Sequence, residues 1–221
     1  MEEPFNLRRP RGFAFLAALT LLACGDKRPP AAVSTPQTPT PGSATSGSAD
    51  VAHSERRFVT PTGKVWMLRE TKRSASLSIV SVRGTGFPNS QESVDLGEGD
   101  PLEATYLTDL DGDGWSELLI VRRGVGSGSY ADLAGLASNS DLSFGPIHIA
   151  KPEPRDPLFA GYRGHDTLRV EGHCLLRAFP VYGDQDPNTQ PSGGTRELCY
   201  RLEHGEGGFV LVPQLARSAA P

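Results

Sequence analysis

No stretch of this 221-residue chain sustains an apolar helical period beyond about two turns, so strands must build its core. The short apolar segment near the N-terminus, Phe13 to Leu22, is too short to cross a bilayer as a helix, and there is no other candidate span. Basic residues are outnumbered, 22 against 26 acidic, and they form no basic stripe, which argues against a nucleic-acid binder. No internal repeat is present, so a propeller or solenoid array is excluded. Cysteine is scarce, with three residues, too few for a scaffold held mainly by disulfides.

What the chain does have begins with a leader. Arg8, Arg9 and Arg11 precede the apolar run Phe13 to Leu22, the layout of an export signal, assigned to residues 1–23. The run leads into Leu21-Leu22-Ala23-Cys24-Gly25, which resembles the lipobox of bacterial lipoproteins, with Leu22 where a smaller residue is usual. That resemblance implies lipidation of Cys24, and Gly25 after it implies an outer-membrane lipoprotein facing the periplasm or the cell surface. Two or three acyl chains suffice for stable anchoring. The alternative is an ordinary secretory signal with Cys24 as a core thiol. Without residues 1–23 the chain keeps 19 of its 22 basic and 24 of its 26 acidic residues, a formal charge of −5 compatible with a cationic protein partner.

Residues 24–57 are mostly Pro, Ser, Thr, Ala and Gly, a composition that cannot bury enough apolar surface to offset its ordering entropy, and they are expected to form a disordered tether. Residues 58–213 then carry strand patterns every eight to twelve residues or so, among them Lys64–Arg69, Leu77–Arg83, Leu102–Leu107, Leu118–Val121 and Cys174–Val181. The fold class expected is all-β, an antiparallel sandwich or barrel-like domain, with 214–221 as a disordered tail. Once Cys24 is lipidated an even pair remains in an exported chain, so Cys174 and Cys199 are expected to form a disulfide; two separate buried thiols are the alternative.

Chemistry concentrates on the two loops flanking Leu118–Val121. Before it, Asp109, Asp111, Asp113 and Glu117 stand at relative positions 1, 3, 5 and 9 of a loop with Gly114 at position 6. Alternate carboxylates on a tight loop supply the hard oxygen ligands that calcium requires, and the Trp115 carbonyl would add an uncharged one. Relative position 12 is Ile120 and not glutamate, so this is no EF-hand. The loop is similar to the DxDxDG loops of calcium-binding propeller repeats, though it occurs once. A metal-free Asx turn is the competing reading. No cofactor is required; a structural calcium ion is the only metal proposed. His148, His165, His173 and His204 lack the paired spacing of a zinc site and read as solvated turn residues.

After the apolar run comes Gly124-Val125-Gly126-Ser127-Gly128-Ser129-Tyr130, without the Lys-Ser/Thr of a phosphate-binding loop and without the form of a nucleophile elbow. A nucleotide cradle and a serine hydrolase are accordingly not expected here, and a flexible hairpin loop is the plainer alternative. Ser127-Gly128-Ser129-Tyr130 resembles the SGxY motif of the periplasmic and lipoprotein inhibitors of invertebrate-type lysozymes, and the segments around it, DLDGDGWSELLIVRRGVGSGSY and VEGHCLLRAFPVYGDQDPNTQPSGGTRELCYRLEHGEGGFVLV, are similar to that family over roughly Leu102 to Val212. The resemblance implies a β-sandwich-like inhibitor, not an enzyme, that inserts Ser127, Gly128 and Tyr130 into a lysozyme cleft, and family members can form homodimers. Arg122, Arg123 and Arg196 are candidates for contacts to the same acidic cleft; a solvated strand arginine is the plainer reading of each.

Overall fold

The computed structural model describes residues 52–219 except 91, 92 and 154. These residues belong to the compact unit Ser48–Pro221; the expected signal segment, Cys24 and most of the tether lie outside the described residues. Among the described residues no helix is long and apolar enough to cross a membrane.

The first four strands, β1 (His53–Val59), β2 (Val65–Ser74), β3 (Leu77–Thr85) and β4 (Ser93–Gly99), form an antiparallel meander in chain order. Alternation decides which way each faces. Trp66 and Leu68 of β2 and Val80 and Val82 of β3 are buried, while Arg69 and Arg83 are exposed. Leu68 stands opposite Val82 and Trp66 opposite Gly84, so one face of the meander is continuous and apolar.

The remaining strands are β5 (Leu102–Thr108), β6 (Glu117–Arg123), β7 (Ala131–Asn139), β8 (Ser143–Ile149), β9 (Thr167–Val170), β10 (Leu175–Pro180), β11 (Thr195–Gly205) and β12 (Gly208–Ala219). They form one sheet in the order β5-β6-β7-β8-β12-β11-β10-β9. Register shifts at Leu102/Ala104 and Glu197/Leu198 mark irregularities of the kind that bend a sheet. The sheet curls until its two edges approach: the Tyr106 hydroxyl of β5 donates to the Leu168 carbonyl of β9 at 2.8 Å. The result is a nearly closed barrel with the meander packed against its outside.

β6, like its neighbours β5 and β7, supplies both cores. Leu119 points into the barrel, among Leu175, Phe179, Leu198 and Tyr200. Leu118 and Ile120 point out, against Trp66, Leu68, Val80, Val82 and Phe87. Burial on two faces is why the run is continuously apolar rather than alternating, and each such side chain contributes about 1.5–3 kcal/mol on leaving water. The outer layer is tied by an aromatic trio: Phe144 of β8 meets Trp66 at 4.8 Å and Phe87 at 5.0 Å. Gly84 makes room for it, since a Cβ there would collide with the Phe144 ring.

The all-β fold class is as expected, and sandwich and barrel are both present in it. The disulfide is present as well: Cys174, just before β10, joins Cys199 on β11, with the Cα atoms 5.6 Å apart. Other expectations need correction. β1 begins at His53, inside the stretch assigned to the tether, because His53–Val59 pairs residue for residue with Val65–Thr71. β12 runs to Ala219, through the stretch assigned to a disordered tail, because β11 offers it a partner from Thr195 to Gly205. Within the otherwise antiparallel barrel sheet, Phe209–Leu211 of β12 pairs in parallel with Ile147–Ile149 of β8.

Candidate functional site

β6 sets the geometry of both candidate loops, one at each of its ends. Glu117 and Arg123 are six residues apart on an extended strand, so at about 3.3 Å per residue the loops are separated by roughly 20 Å. They are two sites and not one.

Gly124–Tyr130 bridges β6 and β7. Its base is closed by Gly124 N–H donating to the Tyr130 carbonyl at 2.9 Å, and its tip by Ser129 N–H donating to the Gly126 carbonyl at 2.9 Å. The tip bond makes Ser127 and Gly128 the corner of a β-turn, with Ser129 following at φ 43°. Ser127 is exposed, and Tyr130 is 50% exposed. Gly128 is there because the Tyr130 ring folds back over it, leaving no room for a Cβ. The same ring packs edge to face with Tyr162, with centroids 5.6 Å apart.

A second chain segment supports the loop from behind. His165 N–H donates to the Gly128 carbonyl at 2.7 Å, and Gly164, at φ 86°, approaches so closely that a Cβ would collide with that carbonyl oxygen. Beneath both lies a buried ionic network. The Arg123 guanidinium donates to the Ser129 carbonyl at 2.8 Å and to Asp166 Oδ1 at 2.9 Å. Asp166, whose side chain is wholly buried, also accepts from Ala131 N–H, the Tyr162 hydroxyl and Arg177 Nε. Arg177 in turn donates to the Ala131 carbonyl and the Tyr162 oxygen. Burial pushes the Tyr162 phenol well above its usual range, so it remains a neutral hydroxyl within this network. Four donors converging on one carboxylate make the floor of the loop rigid.

The three arginines therefore differ. Arg123 is the link between loop and floor. Arg122, on the opposite face of β6, is buried and donates to the Leu96 and Gly97 carbonyls, so it presents nothing to a partner. Arg196, half-buried on β11, donates to the Pro157, Leu158 and Ala160 carbonyls at 3.0 Å, which ends the short 3-10 turn Pro157–Phe159 leading into Tyr162. All three bonds come from one terminal nitrogen, Nη1. Tyr162, Asp166 and Arg177 escape the sequence reading; the signal for the last was an arginine inside the apolar strand CLLRAFPV, which demands a buried anion.

At the other end of β6, Asp109 accepts from Gly112 and Gly114 N–H at 2.7 and 3.0 Å, Asp111 from Asp113 N–H at 3.2 Å, and Asp113 from Trp115 N–H at 2.8 Å. Positive φ at Gly112 and Gly114, 81° and 89°, lets the chain wind this tightly. Glu117 is 1% exposed and accepts from Leu110 N–H at 2.7 Å. Burial, with the nearby charges of Asp111, Asp113 and Asp109 adding to it, pushes its carboxyl up to about 8. Ligand atoms of Asp109, Asp111 and Glu117 lie within 4.8 Å of one another, as do those of Asp111, Asp113 and His204. Two histidines read as solvated turn residues come to this loop: His173 Nδ1 is 2.9 Å from the Asp109 carbonyl, and His204 Nε2 is 3.6 Å from Asp111 Oδ2. The backbone bonds are those of an Asx turn, and carboxylates at this spacing could hold a hard cation.

No protein family, curated protein or solved structure matches this chain.

Proposed function

We propose that the chain is a lysozyme inhibitor, a binding protein rather than an enzyme, that places the Ser127–Tyr130 loop in the active-site cleft of an invertebrate-type lysozyme. The observation that carries the reading is an exposed serine hydroxyl at the corner of a turn whose base is tied to a buried ionic floor. Lysozyme chemistry rests on two carboxyl groups flanking the scissile bond. A hydroxyl both donates and accepts, so Ser127 can bridge such a pair, and Gly128 lets the backbone follow it in. Tyr130 offers a large ring with a polar tip and few rotamers to lose, the kind of residue that anchors interfaces. Because the floor holds the loop before binding, little ordering entropy remains to be lost on association.

Export, lipidation at Cys24 and anchoring in the outer membrane belong to the same proposal and rest on the sequence alone. So does the homodimer that the family resemblance implies. The test is inhibition by the chain from Gly25 onward. Ser127→Ala with Tyr130→Ala should weaken it at least about tenfold, the loss of one good interfacial hydrogen bond or more. Undiminished potency in the double variant would remove the loop from the mechanism.

A second reading concerns the acidic loop, as a calcium site of Asp109, Asp111, Asp113 and Glu117 with the Trp115 carbonyl. The crowding of three carboxylates within 4.8 Å favours it. At roughly 20 Å from the glycine-rich loop along β6, calcium there would act on stability and not on the inhibitory contact. Calorimetric titration of calcium into chelator-treated protein decides it, and a flat titration rejects it.

A further inference from the structure

Beside the inhibitory loop lies a cavity of about 530 Å³. Its wall is aromatic, made of Tyr130, Tyr162 and Phe159, which pack edge to face with centroids 5.6 Å and 5.9 Å apart. Its rim is anionic, with Glu98, Asp100, Asp132 and Glu153 opposed by a single ammonium, Lys151. These acids come from three places in the chain: the end of β4, the start of β7 and the segment after β8. Glu98, Asp132 and Glu153 are exposed, so they are free to meet a partner. Two further cations lie close by: Arg122 sits behind Gly99 with its guanidinium on the Leu96 and Gly97 carbonyls, and Arg177 lies over the Tyr162 and Phe159 rings, 5.1 and 6.0 Å from their centroids, with its charge paired to Asp166, so the rim stays net negative.

An exposed ring under a set of carboxylates is the chemistry that takes a planar cation: the guanidinium stacks on the half-exposed Tyr130 ring while its N–H groups meet the acids. Tyr130 belongs at once to the loop and to this cavity, so whatever grips the loop also covers the cavity's mouth. We propose that the cavity receives an arginine side chain of the protein that the loop engages, placed beside that protein's cleft, so that charge and shape together select a basic partner. The inference rests on the reading of the loop as an inhibitory element and adds the chemistry of its neighbour. Exposed carboxylates are screened by salt, so their effect falls on the association rate at low ionic strength, whereas the loop's buried contacts govern dissociation.

Two measurements separate the inference from the reading beneath it. In the first, the full chain and its Glu98→Gln, Asp132→Asn, Glu153→Gln triple variant are compared for binding to an invertebrate-type lysozyme at low and high salt. Asp100 is left intact because its carboxylate abuts Gly124 at the loop base. The triple variant should associate about tenfold more slowly at about 20 mM salt, with the gap closing near 0.5 M, and its thermal midpoint should match the parent's. In the second, N-acetyl-arginine amide and its neutral isostere N-acetyl-citrulline amide are titrated while the ring signals of Tyr130 and Tyr162 are followed by NMR. The arginine compound should shift them in the parent, the citrulline compound should not, and the triple variant should lose the response. Equal shifts from both compounds, or none from arginine, overturn the inference even where lysozyme is inhibited. An arginine response without lysozyme binding keeps the cavity and sinks the inhibitor reading.

Discussion

Replacing Gly164 with alanine tests whether the position of the Ser127 loop, rather than its composition, is what matters. Gly164 holds φ at 86°, a conformation that costs an L-residue roughly 1–2 kcal/mol. The added methyl would also meet the Gly128 carbonyl oxygen head-on and lie 3.2 Å from Cδ1 of Tyr130. Backbone on both sides cannot yield as a flexible side chain would, so Gly128 must move away. That movement breaks the bond from His165 N–H to the Gly128 carbonyl, worth about 1 kcal/mol net. The sum is a loss of roughly 2–3 kcal/mol, read as a lower urea midpoint at unchanged m-value. Displacement of the loop should raise the inhibition constant at least about tenfold, since near-native positioning is what spares binding its ordering cost. Gly145→Ala on β8, where a methyl meets nothing within 4 Å, is the matched control and should change neither quantity. A Gly164→Ala protein with its stability lowered as expected and its potency intact would refute the claim that this support positions the loop.

Other perturbations follow from the same geometry. Asp166→Asn strips the anion from between Arg123 and Arg177 and should cost roughly 3 kcal/mol or more in chemical denaturation, the usual penalty for unpairing a buried charge; a loss below about 1 kcal/mol would show the network to be weakly coupled. In chelator, Glu117 should make stability fall with rising pH. Its folded pKa stands raised, near 8, against an ordinary value of 4.5, so the folded state holds the proton longer: this contribution is whole below about pH 4.5, declines by up to about 1.4 kcal/mol per pH unit, and is gone above about pH 8. Thermal midpoints compared between pH 6 and pH 9 check it, and Glu117→Gln should flatten the profile. Replacing both Cys174 and Cys199 with serine should lower stability by roughly 3–4 kcal/mol, the loop-closure effect for a 25-residue separation, with unfolding in denaturant as the measure.

Much of the fold was legible because local pattern and tertiary role agree. The Leu118–Val121 run reads as a buried strand and is one, since both of its faces are covered. The Asn139–Leu142 turn reads from its Asn-Ser-Asp sequence, and Ser140 and Asp141 do take positive φ, 50° and 56°. β1 was not legible: His53–Val59 carries three charged residues and little apolar pattern, and it is a strand only because β2 offers it an edge to pair with. β12 past Val212 is of the same kind.

The linear order of residues by itself determined the two loops, their flanking strand, the cysteine pair and the acidic character of the chain, because each of these is a local pattern or a count. Only the tertiary structure decided which distant residues complete those loops. Asp166 and Arg177 meet Arg123 across the barrel, His173 and His204 arrive at the acidic loop from separate hairpins, and Glu98 and Glu153 join Asp132 around Tyr130. Burial forces such groups to find partners, but which partner each one finds depends on how the sheet curls, and that curl is set by pairings between strands far apart in the chain.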